Sequence, residues 1–400
     1  MRIGMVLKGR IPPPDIRVEK EAGTLAAEGH EVHLLLERGE GEALEAMNGP
    51  IHMYRGIEMG KWREKYHRYT FNFTYRDRLW EKAIIDFVRS RKIEVLHIHD
   101  LPLVGIAVRV GRMEGIPVVA DLHENYPGGL QVWYTNQLKK KTIYGFRRWA
   151  RYEREILREV DAIIAVIEES KERIKDLGIP GEKIHVVPNT AHVERINIPL
   201  DPTITKKYSG SFMISYIGGF APHRGLDTVI RAVPFMKDRI KDLRVVLVGD
   251  RNKPYMDHLK RLSASLGCGD TVEMPGWQPF NKIWSYIDAS SVCLVPHARN
   301  PHTDTTIPHK IFQYMMLKKP VIVSDCPPLK RVIEDSGGGL VFTWDRPEEF
   351  AESVRRLYED EEFRKETGER GCEAFLDRYN WDSTSDELKE LYRGLAERKK

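Results

Sequence analysis

A doubly wound α/β chain built in two domains is what this sequence predicts, and three observations carry the prediction. Short apolar runs alternate with stretches of helical periodicity along the whole chain, the signature of βαβ units and parallel sheets covered on both faces. The alternation lapses at a proline-bearing stretch near residue 200 and then starts again. The 400 residues also exceed what one hydrophobic core usually holds, about 250–300.

In the first half the expected strands are Ile3–Leu7, Val32–Leu36, Val95–Ile98, Val118–Asp121, Ala162–Val166 and Ile184–Val187. Helical patterns at Arg17–Glu28, Arg78–Ser90 and Leu103–Met113 lie between most of them. Ile196–Lys207 carries Pro199 and Pro202 with little periodicity and reads as the linker between a domain of residues 1–195 and one of 208–380. The second half gives strands at Met213–Ile217, Val245–Val248, Val272–Met274, Val292–Val295, Val321–Ser324 and Leu340–Phe342, with helices near Leu226–Met236 and Tyr255–Leu266. Two helices, Pro347–Glu359 and Glu361–Leu376, follow. A last helix opens near Asn380–Ser383, with Asp382 or Ser383 as its cap, and offers itself for packing back on the first domain (about 381–400).

Composition narrows the function. No stretch nears the ~18 uninterrupted apolar residues of a membrane span, and the N-terminus shows no signal-peptide pattern. Cys268, Cys293, Cys326 and Cys372 lie far apart with no CxxC, which suits a reduced cytoplasmic protein without a zinc knuckle. The net charge is +4, but residues 51–150 hold 18 Lys+Arg against 10 Asp+Glu. A local anionic partner fits that asymmetry better than general nucleic-acid binding, and no nucleic acid is expected.

Ligands of open α/β sheets bind beyond the carboxyl ends of the strands, so two such domains are expected to face across a cleft, with the chemistry just after strands. Gly218-Gly219 and Arg224 follow the first strand of the second half, where glycines let the backbone approach a phosphate, a helix start supplies N–H donors and an arginine adds a charge-assisted fork. The competing reading is a tight turn with a solvent arginine. Thr305-Thr306-Ile307-Pro308 reads as a helix start capped by Thr305 or Thr306, with Gln313 about two turns in. Lys310 in its first turn opposes the helix dipole, which a nearby anion would explain. His97-Ile98-His99-Asp100 and Asp121-Leu122-His123-Glu124 both end strands of the first domain. Their spacing matches no metal motif, His97 and His99 default to structural roles, and His123 is the better candidate for chemistry. Gly276-Trp277 offers a platform for a flat ring, or Trp277 simply fills the core. Two basic-aromatic stretches, 61–80 and 138–156, suit an anionic membrane surface. In the second of them Phe146, Trp149, Tyr152 and Ile156 share helical spacing, and the alternative is a stripe packed on its own domain.

With these residues in hand the chain resembles the family 4 glycosyltransferases of the GT-B fold. The likeness runs through Ile11-Pro12-Pro13-Pro14-Asp15-Ile16-Arg17-Val18-Glu19-Lys20-Glu21, Gly29-His30-Glu31-Val32, Asp121–Glu124 and Val186-Val187-Pro188-Asn189. It continues through Gly218-Gly219 with Arg224-Gly225, and through Phe312–Met315 with Lys319–Asp325. Such enzymes move a sugar from a nucleotide diphosphate-sugar to an acceptor with retention, usually with no bound metal or other cofactor. The resemblance implies Arg224 and Lys310 against the diphosphate and His123 near the transferred sugar. It also implies Gly218, Gly219, Gly276, Trp277, Asp304, Thr305, Thr306, Ile307 and Gln313 around the donor, and Arg17, His99, Asp100 and Glu124 on the side of a glycan or lipid-linked acceptor. The sequence departs from the family at Gly219, where an arginine is common, and at Thr305 and Gln313, where two glutamates are expected. Those losses keep open a weakly catalytic nucleotide-sugar or membrane-surface binding protein; a nucleotide-sugar epimerase on the same fold is the other alternative, but it needs acidic residues for proton abstraction, and Gln313 weighs against it.

Overall fold

The computed structural model describes residues 1–11, 15–58, 70–133, 145–193, 199–250 and 252–398. The proline run 12–14, the segments 61–69 and 138–144 of the basic-aromatic stretches, and residues 196–198 of the expected linker lie outside them.

The chain forms two compact units: Met1–Pro188 with Ser385–Lys400, and Asn189–Thr384. The first is built on strands β1 (Arg2–Leu7), β2 (Glu31–Glu37), β3 (Glu45–Asn48), β4 (Ile51–Ile57), β5 (Val95–His99), β6 (Val118–Leu122), β7 (Ala162–Ala165) and β8 (Ile184–Val186). They form one sheet in the order β3-β4-β2-β1-β5-β6-β7-β8, parallel except for the β3–β4 pair. That hairpin is an addition to the sequence reading; its signal was the Asn48-Gly49-Pro50 turn and the alternating burial of Ile51, Met53, Arg55 and Ile57. Neighbours of β1 are β2 on one side and β5 on the other, so the winding reverses there.

The second unit carries β9 (Phe212–Ile217), β10 (Leu243–Val248), β11 (Val272–Gly276), β12 (Val292–Val295), β13 (Val321–Ser324) and β14 (Gly339–Phe342). Their order is β11-β10-β9-β12-β13-β14, all parallel. This is the doubly wound order, and its reversal lies between β9 and β12.

Local chemistry accounts for the element ends. Asp15 opens helix Ile16–Ala27 by accepting from Arg17 N and Val18 N, each at 3.2 Å. Asp77 does the same for helix Arg78–Arg91, accepting from Leu79 N and Trp80 N. Part of the expected linker is helical: Pro202–Tyr208 starts on Asp201, which accepts from Thr203 N, and it belongs to the second unit. The last helix, Asp386–Glu397, is preceded by Ser385 and not by Asp382 or Ser383, which sit in a separate short turn of helix, Trp381–Thr384. Asp386–Glu397 packs in the first unit, with Leu388 and Tyr392 fully buried.

The stripe at 146–156 also finds its place. Trp149 and Tyr152 are buried in the first unit's core. Trp149 Nε1 donates to Asn72 Oδ1 at 3.1 Å, and Tyr152 Oη accepts from Gly105 N at 2.8 Å. The apolar face that would enter a lipid interface is therefore already covered, which leaves Arg147, Arg151 and Arg154 on the exposed side.

Candidate active site

In the second unit the site grows from the β9 exit. Gly218 has φ +145°, and a Cβ there would lie 2.3 Å from Lys310 Nζ. A glycine is what leaves room for that lysine. Gly218 N donates to Val248 O at 2.9 Å and Phe220 N to Asp250 O at 2.8 Å, so those two loop amides are committed within the fold. Between them, Gly219 N makes no such bond among the described residues. Lys310 Nζ stands 3.8 Å from the centre of the Tyr216 ring. Burial first, and then the charge on Arg224, hold its ammonium well below the ordinary lysine range.

Arg224 lies in a 3-10 turn, Pro222–Arg224, that ends on Gly225 at φ +69°. A Cβ on Gly225 would meet Pro296 O at 1.8 Å, so this loop and the chain leaving β12 touch through backbone. Arg224 Nη1 donates to His297 Nε2 at 3.1 Å. His297 and its neighbours His223 and His302 were not singled out from sequence. The available signal was position, since His297 stands two residues beyond β12, at the sheet's reversal. Burial, then Arg224, pushes His223 down to about 3.

The remaining donor-side candidates divide. Lys310–Met316 is a seven-residue helix preceded by His309, with no side-chain cap. Thr305 and Thr306 do not cap it: their hydroxyls donate to Pro301 O at 2.7 Å and His302 O at 2.9 Å. Thr305 instead ends a 3-10 turn, Thr303–Thr305, and Gln313 sits buried one turn into the helix. Asp304 is held by Arg299, at 2.7 and 3.1 Å, and Ile307 is buried. Trp277 is 62% exposed, beside Gly276 at φ +76°, so it does not fill the core.

In the first unit β5 and β6 bring their ends together. His123 Nε2 donates to Asp121 Oδ2 at 2.8 Å, and its Nδ1 lies 3.8 Å from Asp100 Oδ2. Asp100 takes φ +67°, a conformation a non-glycine residue rarely holds. Its N–H donates to Asp121 O at 2.8 Å. Burial works against a charged His123, but the Asp100 and Asp121 carboxylates outweigh it and carry the imidazole up to about 10. His99 Nδ1 donates to Asp121 Oδ2 at 2.9 Å, and burial followed by the His97 charge brings His99 down to about 4.

Arg17 is 3% exposed and fully engaged. It donates to Asp121 from Nε at 3.2 Å and from Nη2 at 2.7 Å, and to Val187 O from Nη1 at 3.0 Å; it also pairs with Glu21 at 2.8 Å. Its guanidinium holds the domain together and is not presented to an acceptor, and His99 is buried as well. Glu124 follows His123 at a half-buried bend. Glu21, His97, His99 and Asp121 bring potential metal-ligand atoms within 4.8 Å of one another. The Arg17 guanidinium already lies against both carboxylates and supplies the counter-charge a cation would bring.

Two doubly wound parallel-sheet domains, one with a glycine-arginine loop at its reversal, define a protein of the GT-B type. The profile of the family described as glycosyl transferases group 1 matches residues 197–374, and that of glycosyltransferase family 4 matches residues 17–195. The chain belongs to this family and is a glycosyltransferase. It is 23% identical over 297 residues to the alpha-D-kanosaminyltransferase of Streptomyces kanamyceticus, covering 72% of this chain and 73% of that one. Its fold is that of the sucrose-phosphate synthase of Thermosynechococcus elongatus, with TM-score 0.79, 16% identity and 98% of each chain covered. It is also that of Anabaena HepE in complex with UDP, with TM-score 0.71, 13% identity, and 98% and 100% covered. Among the described residues no helix is long and apolar enough to cross a membrane.

Proposed function

We propose that this glycosyltransferase takes its sugar from a nucleoside diphosphate-sugar and transfers it with retention to a hydroxyl of a glycan or lipid-linked acceptor. The observation that carries the donor assignment is Arg224 with Lys310 beside Gly218, at the reversal of the second sheet. HepE crystallised with UDP-glucose supports the same class of donor. In the reaction the bond between the anomeric carbon and the diphosphate oxygen breaks as the acceptor oxygen bonds the same carbon. Negative charge gathers on the diphosphate, and Arg224, Lys310 and the Gly219 amide are the groups to stabilise it. The acceptor's proton goes to a phosphate oxygen on the same face. His123, anchored through Nε2 on Asp121, keeps its Nδ1 for a hydroxyl of the transferred sugar.

The test is turnover of UDP-, GDP- and ADP-sugars in excess EDTA, followed by Arg224→Ala. Loss of this donor should lower turnover about 10²–10³-fold with little change in melting temperature. Wild-type turnover in the variant removes Arg224 from the mechanism, and activity that returns only with a divalent cation removes the two side chains as sufficient counter-charge.

A second reading has its own observation. Thr305 and Asp304, both expected around the donor, are bonded instead to Pro301 and Arg299. A nucleotide-sugar binder with little turnover would show donor affinity without donor hydrolysis.

A further inference from the structure

We propose that His297 is a positioning residue that sets the Arg224 guanidinium for a diphosphate. The inference rests on the donor reading above and deepens it. A guanidinium only donates, so the 3.1 Å contact from Arg224 Nη1 requires a lone pair on His297 Nε2 and places the ring proton on Nδ1. His297 is 2% exposed and its chain is fixed from several sides. Ser324 Oγ donates to its carbonyl at 2.6 Å, Ala298 N donates to His223 O at 3.0 Å, and Pro296 lies against Gly225. An arginine on a loop has many rotamers, and one buried acceptor selects among them.

The choice of acceptor matters. A carboxylate at this position would orient Arg224 and also cancel its charge. A neutral imidazole orients the fork and leaves the full positive charge for the ligand. The surroundings keep it neutral: burial, then Arg224 and Lys310, then His223 and His302, all disfavour the imidazolium. Gly219 stands where the resemblance expects another arginine, so the orientation of Arg224 carries more of the recognition.

The experiment is calorimetric binding of UDP, GDP and ADP, each beside its monophosphate, to the full chain and to H297L, H297Q, R224A and R224A/H297L. The wild-type chain should prefer one diphosphate over its monophosphate. H297L should lose about tenfold of that preference while its monophosphate affinity stays unchanged. H297Q, whose amide oxygen falls near the Nε2 position, should recover it. In the R224A background H297L should add no further loss. The inference fails if folded H297L keeps the full preference, if folded H297Q does not recover it, or if the two losses simply add. Should H297L not fold, H297Q against wild type decides alone. A wild-type chain that prefers no diphosphate overturns the donor reading itself, and this inference with it.

Discussion

One methyl group at Gly218 is enough to disturb the proposed donor site. The residue sits at φ +145°, and the added carbon would lie 2.3 Å from Lys310 Nζ. Gly218→Ala should push the lysine aside, so that affinity for the preferred diphosphate falls tenfold or more, on the order of one lost charge-assisted contact. Calorimetry reads this directly, and unchanged affinity would separate Lys310 from the site. In the first unit His123 is carried from its ordinary value of 6.5 up to about 10. A raised folded-state value means that its contribution to stability is complete below about 6.5 and is lost as pH rises toward 10. The melting temperature of the wild type should fall more steeply across that window than that of His123→Gln, and parallel curves would show that the two carboxylates do not hold a proton there. Sequence brought His123, Arg224 and Lys310 into view because each follows a strand or opens a helix. It did not reveal the burial of Arg17, since a buried arginine saturated by Asp121, Glu21 and Val187 looks the same in sequence as an exposed one. It passed over His297, because a single histidine carries no pattern until the sheet order puts it beside Arg224.

Single elements show the same division between what is local and what is not. Strands read as buried apolar runs, and helices announced themselves by period, because both signals reside in consecutive residues. The helix at Lys310 begins later than its threonines suggested. Their hydroxyls turn back onto Pro301 and His302, a competition between cap and turn that spacing alone does not decide. The helix Phe146–Ile156 was open between lipid and core; buried Trp149, among Phe71, Tyr75, Tyr126 and Tyr152, answers for the core. Trp149→Ala should therefore cost about 3–5 kcal/mol of unfolding free energy in denaturant titration. A loss under 1 kcal/mol would mean that the stripe does not hold this domain.

At the scale of the whole molecule the first unit is discontinuous: residues 1–188 are completed by the last helix, Asp386–Glu397. Tyr392 lies fully buried there with its hydroxyl 2.7 Å from His97 Nδ1, and Arg393 reaches Glu28 at 2.8 Å. A chain ending at Thr384 should lose amide protection in residues 1–188 while β9–β14 keep theirs, as measured by hydrogen exchange. Equal protection in both units would show that the helix is dispensable.

That arrangement also sets a schedule for synthesis. The opening domain leaves the ribosome without the helix that closes it, and the whole second domain must be made before that helix exists. At 5–20 residues per second the delay is roughly 10–40 s. Throughout that interval the nascent first domain carries an uncovered apolar seam where Leu388, Leu391 and Tyr392 will later sit, together with a histidine still lacking its hydroxyl partner. The period of greatest exposure to chaperones, and to mispairing with a neighbouring nascent chain, therefore opens once residues 1–188 have been translated and closes only when Asp386–Glu397 has been made.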